Sequence, residues 1–93
     1  MNKLQSHEIQ ALDLDMQINE TIAVRFDDYY ELVVCTNDAN GEYLNVLVTQ
    51  KNKVRQFKTL NAVDSFLLSI DIYGFSVMSE AAFNEKVYEI WKN

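Results

Sequence analysis

Nucleophilic catalysis needs a nucleophile, a base that activates it and usually a third group that orients the base. For the first two parts the chain offers one cysteine, Cys35, and one histidine, His7. Cys35 sits among Val33, Val34 and Thr36 with no basic neighbour to lower its pKa, so it reads as a structural thiol. His7 lies near the start of the chain and reads as a surface helix residue. One His and one Cys do not make a zinc site. Asp13 and Asp15 lack the glycine and the closing glutamate of a calcium loop at the required offsets. Asp27 and Asp28 are adjacent, so along a strand they point to opposite sides and cannot share a substrate as an acid–base pair. With glycine only at 41 and 74, no loop is rich enough in it to cradle phosphates. The expectation is a non-enzymatic protein with no catalytic residues, no cofactor and no metal.

What remains points to binding. Tyr29, Tyr30 and Tyr43 are interleaved with Asp27, Asp28, Glu31 and Glu42. Tyrosine supplies large contact area at low entropic cost, and clustered acids steer a basic partner. Asp27, Asp28, Tyr29, Glu31, Glu42 and Tyr43 are therefore the candidate partner-binding set; the alternative is that some of the tyrosines are core and the acids only solvate. Lys51, Lys53, Arg55 and Lys58 form a basic strip that reads as a solvated, aggregation-resistant strand edge.

Fourteen acids against eight Lys and Arg give a net charge of −6 and a pI near 4.5. That is the wrong sign for a protein that holds nucleic acid by neutralising phosphates, so direct DNA or RNA binding is disfavoured. The acidity is uneven: residues 1–50 carry nine acids and two bases, a net of −7, while residues 51–93 carry five acids and six bases, a net of +1. Such asymmetry marks either an interaction surface or a solvated face.

Ninety-three residues, 48% hydrophobic and 12% aromatic, suit a single domain over residues 1–93 with one modest core. A lone cysteine excludes an internal disulfide and fits a reducing, cytoplasmic setting. The longest apolar run is Leu32–Cys35 and the N-terminus is polar, so neither a membrane span nor a signal peptide is expected.

The elements that must position these residues follow from periodicity. Ile9, Leu12 and Met16 suit a short amphipathic helix from Ser6 to about Ile18, although Leu14 and Ile18 also permit an extended reading. Ile22, Val24 and Phe26, then Tyr30, Leu32 and Val34, alternate as strands. Asn37–Gly41 holds turn residues and predicts a hairpin, whose return arm sets Leu44, Val46 and Val48 against Tyr43, Asn45 and Thr49. Gln50–Lys53 predicts a second reversal before a strand from Val54 to Lys58. Thr59 suits an N-cap for a helix carrying Leu60, Val63, Leu67 and Ile70, with Gly74 in the left-handed position beyond its end. A short strand through Phe75 and Val77 precedes a last helix, capped by Ser79, with Phe83, Val87 and Ile90 on its inner side and Tyr88 and Trp91 beside them. The predicted fold is α+β: an antiparallel sheet of three or four strands covered on one face by helices, a two-layer sandwich with Leu67 packed against Val46.

The stretch VRQFKTLNAVDSFLLSIDIYGFSV, residues 54–77, resembles a strand, F-K-T-L, helix, G-F module of small plasmid and phage proteins, including plasmid maintenance accessories. The whole chain, short, acidic, poor in Gly and Pro and without a catalytic set, is similar in character to anti-CRISPR proteins. That resemblance implies a protein-binding inhibitor or accessory factor of a mobile element, acting on a basic nucleic-acid-handling protein or complex. It assigns no individual residue. The alternative is a small structural or regulatory homodimer, paired through a sheet edge or the Trp91 helix.

Overall fold

The computed structural model describes residues 1–92 and, within the last helix, side chains as far as Tyr88. In chain order the elements are β1 (Asn2–Leu4), α1 (Ser6–Leu14), β2 (Ile18–Arg25), β3 (Tyr30–Asp38), β4 (Gly41–Leu47), β5 (Gln56–Phe57), α2 (Leu60–Ser69), β6 (Ser76–Ser79) and α3 (Glu80–Lys92). The class is α+β, as the sequence patterns predict, but the sheet has six strands and is mixed. Its centre is the expected antiparallel meander of β2, β3 and β4. Both flanks are parallel: β1 runs alongside β4, and β6 alongside β2.

The expectation of helices on one face is corrected. Ala23, Leu32, Val34, Leu47 and Phe57 pack under α1 and α2, with Ile9, Val63 and Leu67. Ile22, Val24, Val33, Cys35 and Leu44 pack on the other face with Phe83 of α3. The molecule therefore has three layers and two cores. The reason lies in the continuous apolar runs Ile22–Val24 and Leu32–Cys35: consecutive strand residues point to opposite faces, so an unbroken run needs cover on both. Val46 pairs with Val33 and shares its face, opposite the face on which Leu67 lies. The expected Leu67–Val46 contact is replaced by packing of Leu67 in the core that contains Leu32, Val34 and Leu47.

The turns follow the residues that tolerate them. Asp38 accepts a hydrogen bond from the Asn40 amide (2.7 Å), and Gly41 follows with φ +135°, closing the β3–β4 hairpin where Asn37–Gly41 predicted it. The second reversal is closed by Thr49 donating to the Lys53 carbonyl (2.8 Å) with Asn52 at φ +65°. The strand expected over Val54–Lys58 contracts to β5, which pairs with Tyr30 and Glu31 of β3. Thr59 caps α2 by accepting from the Ala62 amide (3.1 Å). At the other end Asp71, not Gly74, takes the left-handed conformation (φ +63°). Ile72 donates to the Leu67 carbonyl (2.9 Å) and Asp71 to that of Leu68 (3.1 Å), the paired bonds of a Schellman motif. Ile72 and Leu67 belong to the same core, so the apolar contact that accompanies this motif is present and fixes the stop earlier than glycine would.

The first helix also ends early. Leu14 and Met16 are exposed, Met16 has φ +57°, and β2 begins at Ile18. Ser79 caps α3 through the Ala82 amide (3.2 Å), with Phe83 buried and Val87 packed against the second core, as the spacing predicts. The side chains of Ile90 and Trp91 lie outside the described residues, and Tyr88 is exposed. Leu67→Ala is expected to lower the unfolding free energy by about 2–5 kcal/mol, whereas Leu68→Ala, on the exposed side of the same helix, stays within about 0.5 kcal/mol. Denaturant titration of both variants checks this, and equal losses would mean that α2 presents a different face to the sheet.

Candidate functional site

The β2–β3 connection is two strands closing on a pair of aspartates. Phe26 donates its amide to the Tyr29 carbonyl (2.9 Å), and the Phe26 and Tyr29 rings stack with centroids 5.0 Å apart at 11°. Asp27 and Asp28 are left exposed at the tip. Glu31 follows on β3, half-buried and opposite Val24. The parallel register of β6 on β2 places Ser79 beside Arg25, which delivers Glu80, the first residue of α3, to the same end of the sheet.

The electrostatics show that these groups share one environment. Burial pushes the Glu31 carboxyl above its usual range, and the Glu80 carboxylate raises it further. Partial withdrawal from water likewise raises the Tyr29 phenol, with Glu31, Asp28, Glu80 and Asp27 adding in that order. Arg25, opposite Tyr30 and beside Ser79, is the nearest base along the ladder, and among the described residues neither it nor Lys58, which follows Phe57, makes an ion pair with them. Among the described residues the one ion pair joins Lys86 to Glu20 (3.3 Å), away from this turn. The arrangement is a rim of four carboxylates around a stacked aromatic pair, suited to receive cationic side chains.

Four of the six predicted binding residues, Asp27, Asp28, Tyr29 and Glu31, are thus brought together. Glu42 and Tyr43 are not. Glu42 pairs with Asn37 at the far end of β3, six residues from Glu31 and so roughly 20 Å away along the strand. Glu42 borders a cavity of about 170 Å³ with Cys35, Glu20 and Lys86, while Tyr43, on the opposite face, borders another with Asn45. Tyr30 packs against the first core, the structural role left open for some of the tyrosines. Glu80 was absent from the sequence-based set. Only the parallel β2–β6 pairing brings it in, and nothing in the local letters around Ser79-Glu80 signals more than a helix start.

The other chemical candidates take structural positions. Cys35 is buried on the α3 face, where burial pushes its thiol up to about 11, Glu20 and Glu42 raise it and Lys86 opposes them. The Arg55 guanidinium of the basic strip lies over the rings of Phe57 (4.7 Å) and Phe66 (4.8 Å), covering the edge of the first core. Among the described residues no three His, Cys, Asp or Glu side chains are grouped to hold a metal, and no helix is long and apolar enough to cross a membrane. No family model, curated protein or solved structure matches the chain.

Two outcomes follow from the titrations. Glu31 holds its proton more tightly when folded, so its contribution to stability is complete below the ordinary glutamate pKa of about 4.3 and is lost as pH rises through the raised folded value. Glu31→Gln, neutral throughout, is expected to melt a few degrees higher than the parent at pH 7, the gap being limited by solvent screening of a half-exposed group. The melting curves should converge near pH 3; a gap independent of pH would assign the effect to something other than charge. For Cys35, a thiol near 11 carries a thiolate fraction at pH 8 roughly two orders of magnitude below that of an ordinary thiol. Iodoacetamide should therefore label the folded protein about a hundredfold more slowly than the urea-unfolded chain, as followed by mass spectrometry; comparable rates would mean an activated cysteine.

Proposed function

We propose that this protein is a non-enzymatic binding module whose β2–β3 end engages a basic partner, with the carboxylates of Asp27, Asp28, Glu31 and Glu80 standing in for phosphate charge. The observation that carries this reading is the crowding of four carboxylates around the Phe26–Tyr29 stack without an ion pair among them. Burial and the Glu80 carboxylate raise the proton affinity of Glu31, and the like-charge part of that cost is relieved when a cationic surface arrives. The partner class this favours is a basic nucleic-acid-handling protein or complex, blocked by competition for its nucleic-acid groove. That is the activity expected of an anti-CRISPR-like inhibitor or accessory factor of a phage or plasmid. Glu42 and Tyr43 fall outside the interface in this reading, and Glu80 enters it.

A second reading, a homodimer, is favoured by one feature. The edge strand β6 reads Ser-Val-Met-Ser, carries no charge, and leaves Val77 46% exposed, whereas edge strands that stay unpaired are usually guarded by charge or proline.

The two readings separate in one experiment. Asp27→Lys, Asp28→Lys and Glu31→Lys combined should weaken binding to the complex recovered by pull-down from host lysate at least about tenfold, roughly 1.4 kcal/mol by calorimetry. Raised salt should weaken the parent's binding in the same direction. Lys51→Glu with Lys53→Glu should change it little, and circular dichroism controls for folding. Normal binding by the acidic triple variant overturns the proposal, and a stable dimer by light scattering that Val77→Lys dissociates supports the second reading.

A further inference from the structure

Along the α1 face of the sheet, the inward-facing residues of β3 run Leu32, Val34, Thr36, and those of β4 run Leu47, Asn45, Tyr43. The first core is therefore apolar at one end and stops at a polar pair, Thr36 and Asn45, which are 6% and 4% exposed. Asn45 donates from Nδ2 to the Val34 carbonyl and to the Thr36 hydroxyl, both at 3.0 Å. A carbonyl only accepts, so the bond to Val34 fixes which way the carboxamide is turned. Two groups are left over. The Asn45 Oδ1 accepts no hydrogen bond, and the Thr36 hydroxyl, used only as an acceptor, keeps its proton free. Among the described residues every side-chain nitrogen or oxygen shut off from solvent has a partner, so the unpartnered Oδ1 opens onto space. That space is a cavity of about 260 Å³ bordered by both residues, with Leu4 and Leu12 as apolar wall and Tyr43, 38% exposed, at its mouth.

We propose that this cavity is a binding site for the edge of a small, neutral, planar ligand that carries an N–H beside a C=O. Asn45 Oδ1 receives the N–H and the Thr36 hydroxyl donates to the C=O, while the leucines and the Tyr43 ring take the flat faces. The volume lies just below the roughly 300–1,000 Å³ of sites for drug-sized ligands, which matches a single ring or a short carboxamide. Asp38 at the border and the net charge of −6 select against anions such as nucleotides. An ordinary peptide bond does not qualify, because in the trans amide the N–H and C=O point in opposite directions. Two sources share the required chemistry, a lactam edge of a nucleobase and a primary carboxamide such as that of Asn or Gln. The site lies at the opposite end of β3 from the acidic turn and does not depend on the reading given to that turn.

The test is an NMR titration of the full chain, following the Asn45 side-chain amide and the Thr36 and Tyr43 backbone amides. The probes are uracil, propionamide and, as the trans amide, N-methylacetamide. Saturable shifts with uracil alone identify the nucleobase source, and saturable shifts with propionamide alone the carboxamide source; both support the site. N-methylacetamide should bind at least about tenfold more weakly than the better probe. Asn45→Leu should abolish saturation. Should that variant unfold, Thr36→Val, which leaves the Asn45 bond to Val34 in place, should still weaken binding by a similar factor. Failure of both uracil and propionamide to saturate, equal binding of N-methylacetamide, or unchanged affinity in Thr36→Val overturns the proposal and leaves a cavity that holds solvent only.

Discussion

The structure depends on the double burial of β3. From Leu32 to Thr36 every residue is buried, alternately in one core and the other. A strand covered on both faces has no water on which to discharge its backbone polar groups, so both of its edges must be paired. On one side β2 does this along almost the whole length. On the other, β4 reaches only as far as Leu47, and the two residues of β5 take over opposite Tyr30 and Glu31. Residues 48–55 are the excursion between them, held by the Val48–Val54 bridge and by the Arg55 amide donating to the Leu47 carbonyl (3.0 Å). Arg55 then lies over Phe57 and Phe66, so the basic strip is partly an apolar lid with charged ends.

The same constraint fixes the acidic turn at a distance. The Thr59 cap and the Schellman motif at Asp71 set the length of α2, and so the point at which the chain turns back toward β2. There the Thr21 hydroxyl donates to the Gly74 carbonyl (2.7 Å), pinning the start of β6 beside the middle of β2. From that anchor the parallel register runs to Arg25 opposite Ser79, and one residue further on Glu80 joins Asp27, Asp28 and Glu31. A charged cluster at one end of the sheet is thus the product of a helix stop and a buried threonine some way from it.

Legibility in the sequence follows the range of the interaction involved. The hairpin at Asn37–Gly41, the Thr59 and Ser79 caps and the inward residues Val63, Leu67 and Phe83 depend on near neighbours and were readable from them. The parallel flanks were not, because Asn2–Leu4 beside Asn45–Leu47 and Ser76–Ser79 beside Ile22–Arg25 leave no local signature in either partner. The second core was visible in principle. The unbroken run Leu32–Cys35 calls for two covered faces, but the alternation of Tyr30, Leu32 and Val34 suggests one. Position 71 shows a local rule overridden: Gly74 is the conformationally easier stop, yet pairing Ile72 with Leu67 in the core outweighs the modest strain of an aspartate in the left-handed region. For the candidate site, the identity of Asp27, Asp28, Tyr29 and Glu31 was readable because they are contiguous, whereas the inclusion of Glu80 and the separation of Glu42 and Tyr43 are properties of topology alone.

That separation changes what the uneven charge means. Counted along the chain, the acidity belongs to residues 1–50. In space it divides, with Asp27, Asp28 and Glu31 at one end of β3 and Asp38 and Glu42 at the other. The gap of roughly 20 Å exceeds the Debye length of about 8 Å at physiological salt, so the two groups do not add into one field. At the far end Asp38 is occupied in capping the hairpin through the Asn40 amide, and Glu20 nearby is paired with Lys86. At the near end the carboxylates have no such partners, and their number is raised by Glu80 from the half of the chain that is net basic. A cationic surface approaching the β2–β3 turn therefore meets Asp27, Asp28, Glu31 and Glu80 together, none of them held in an ion pair among the described residues.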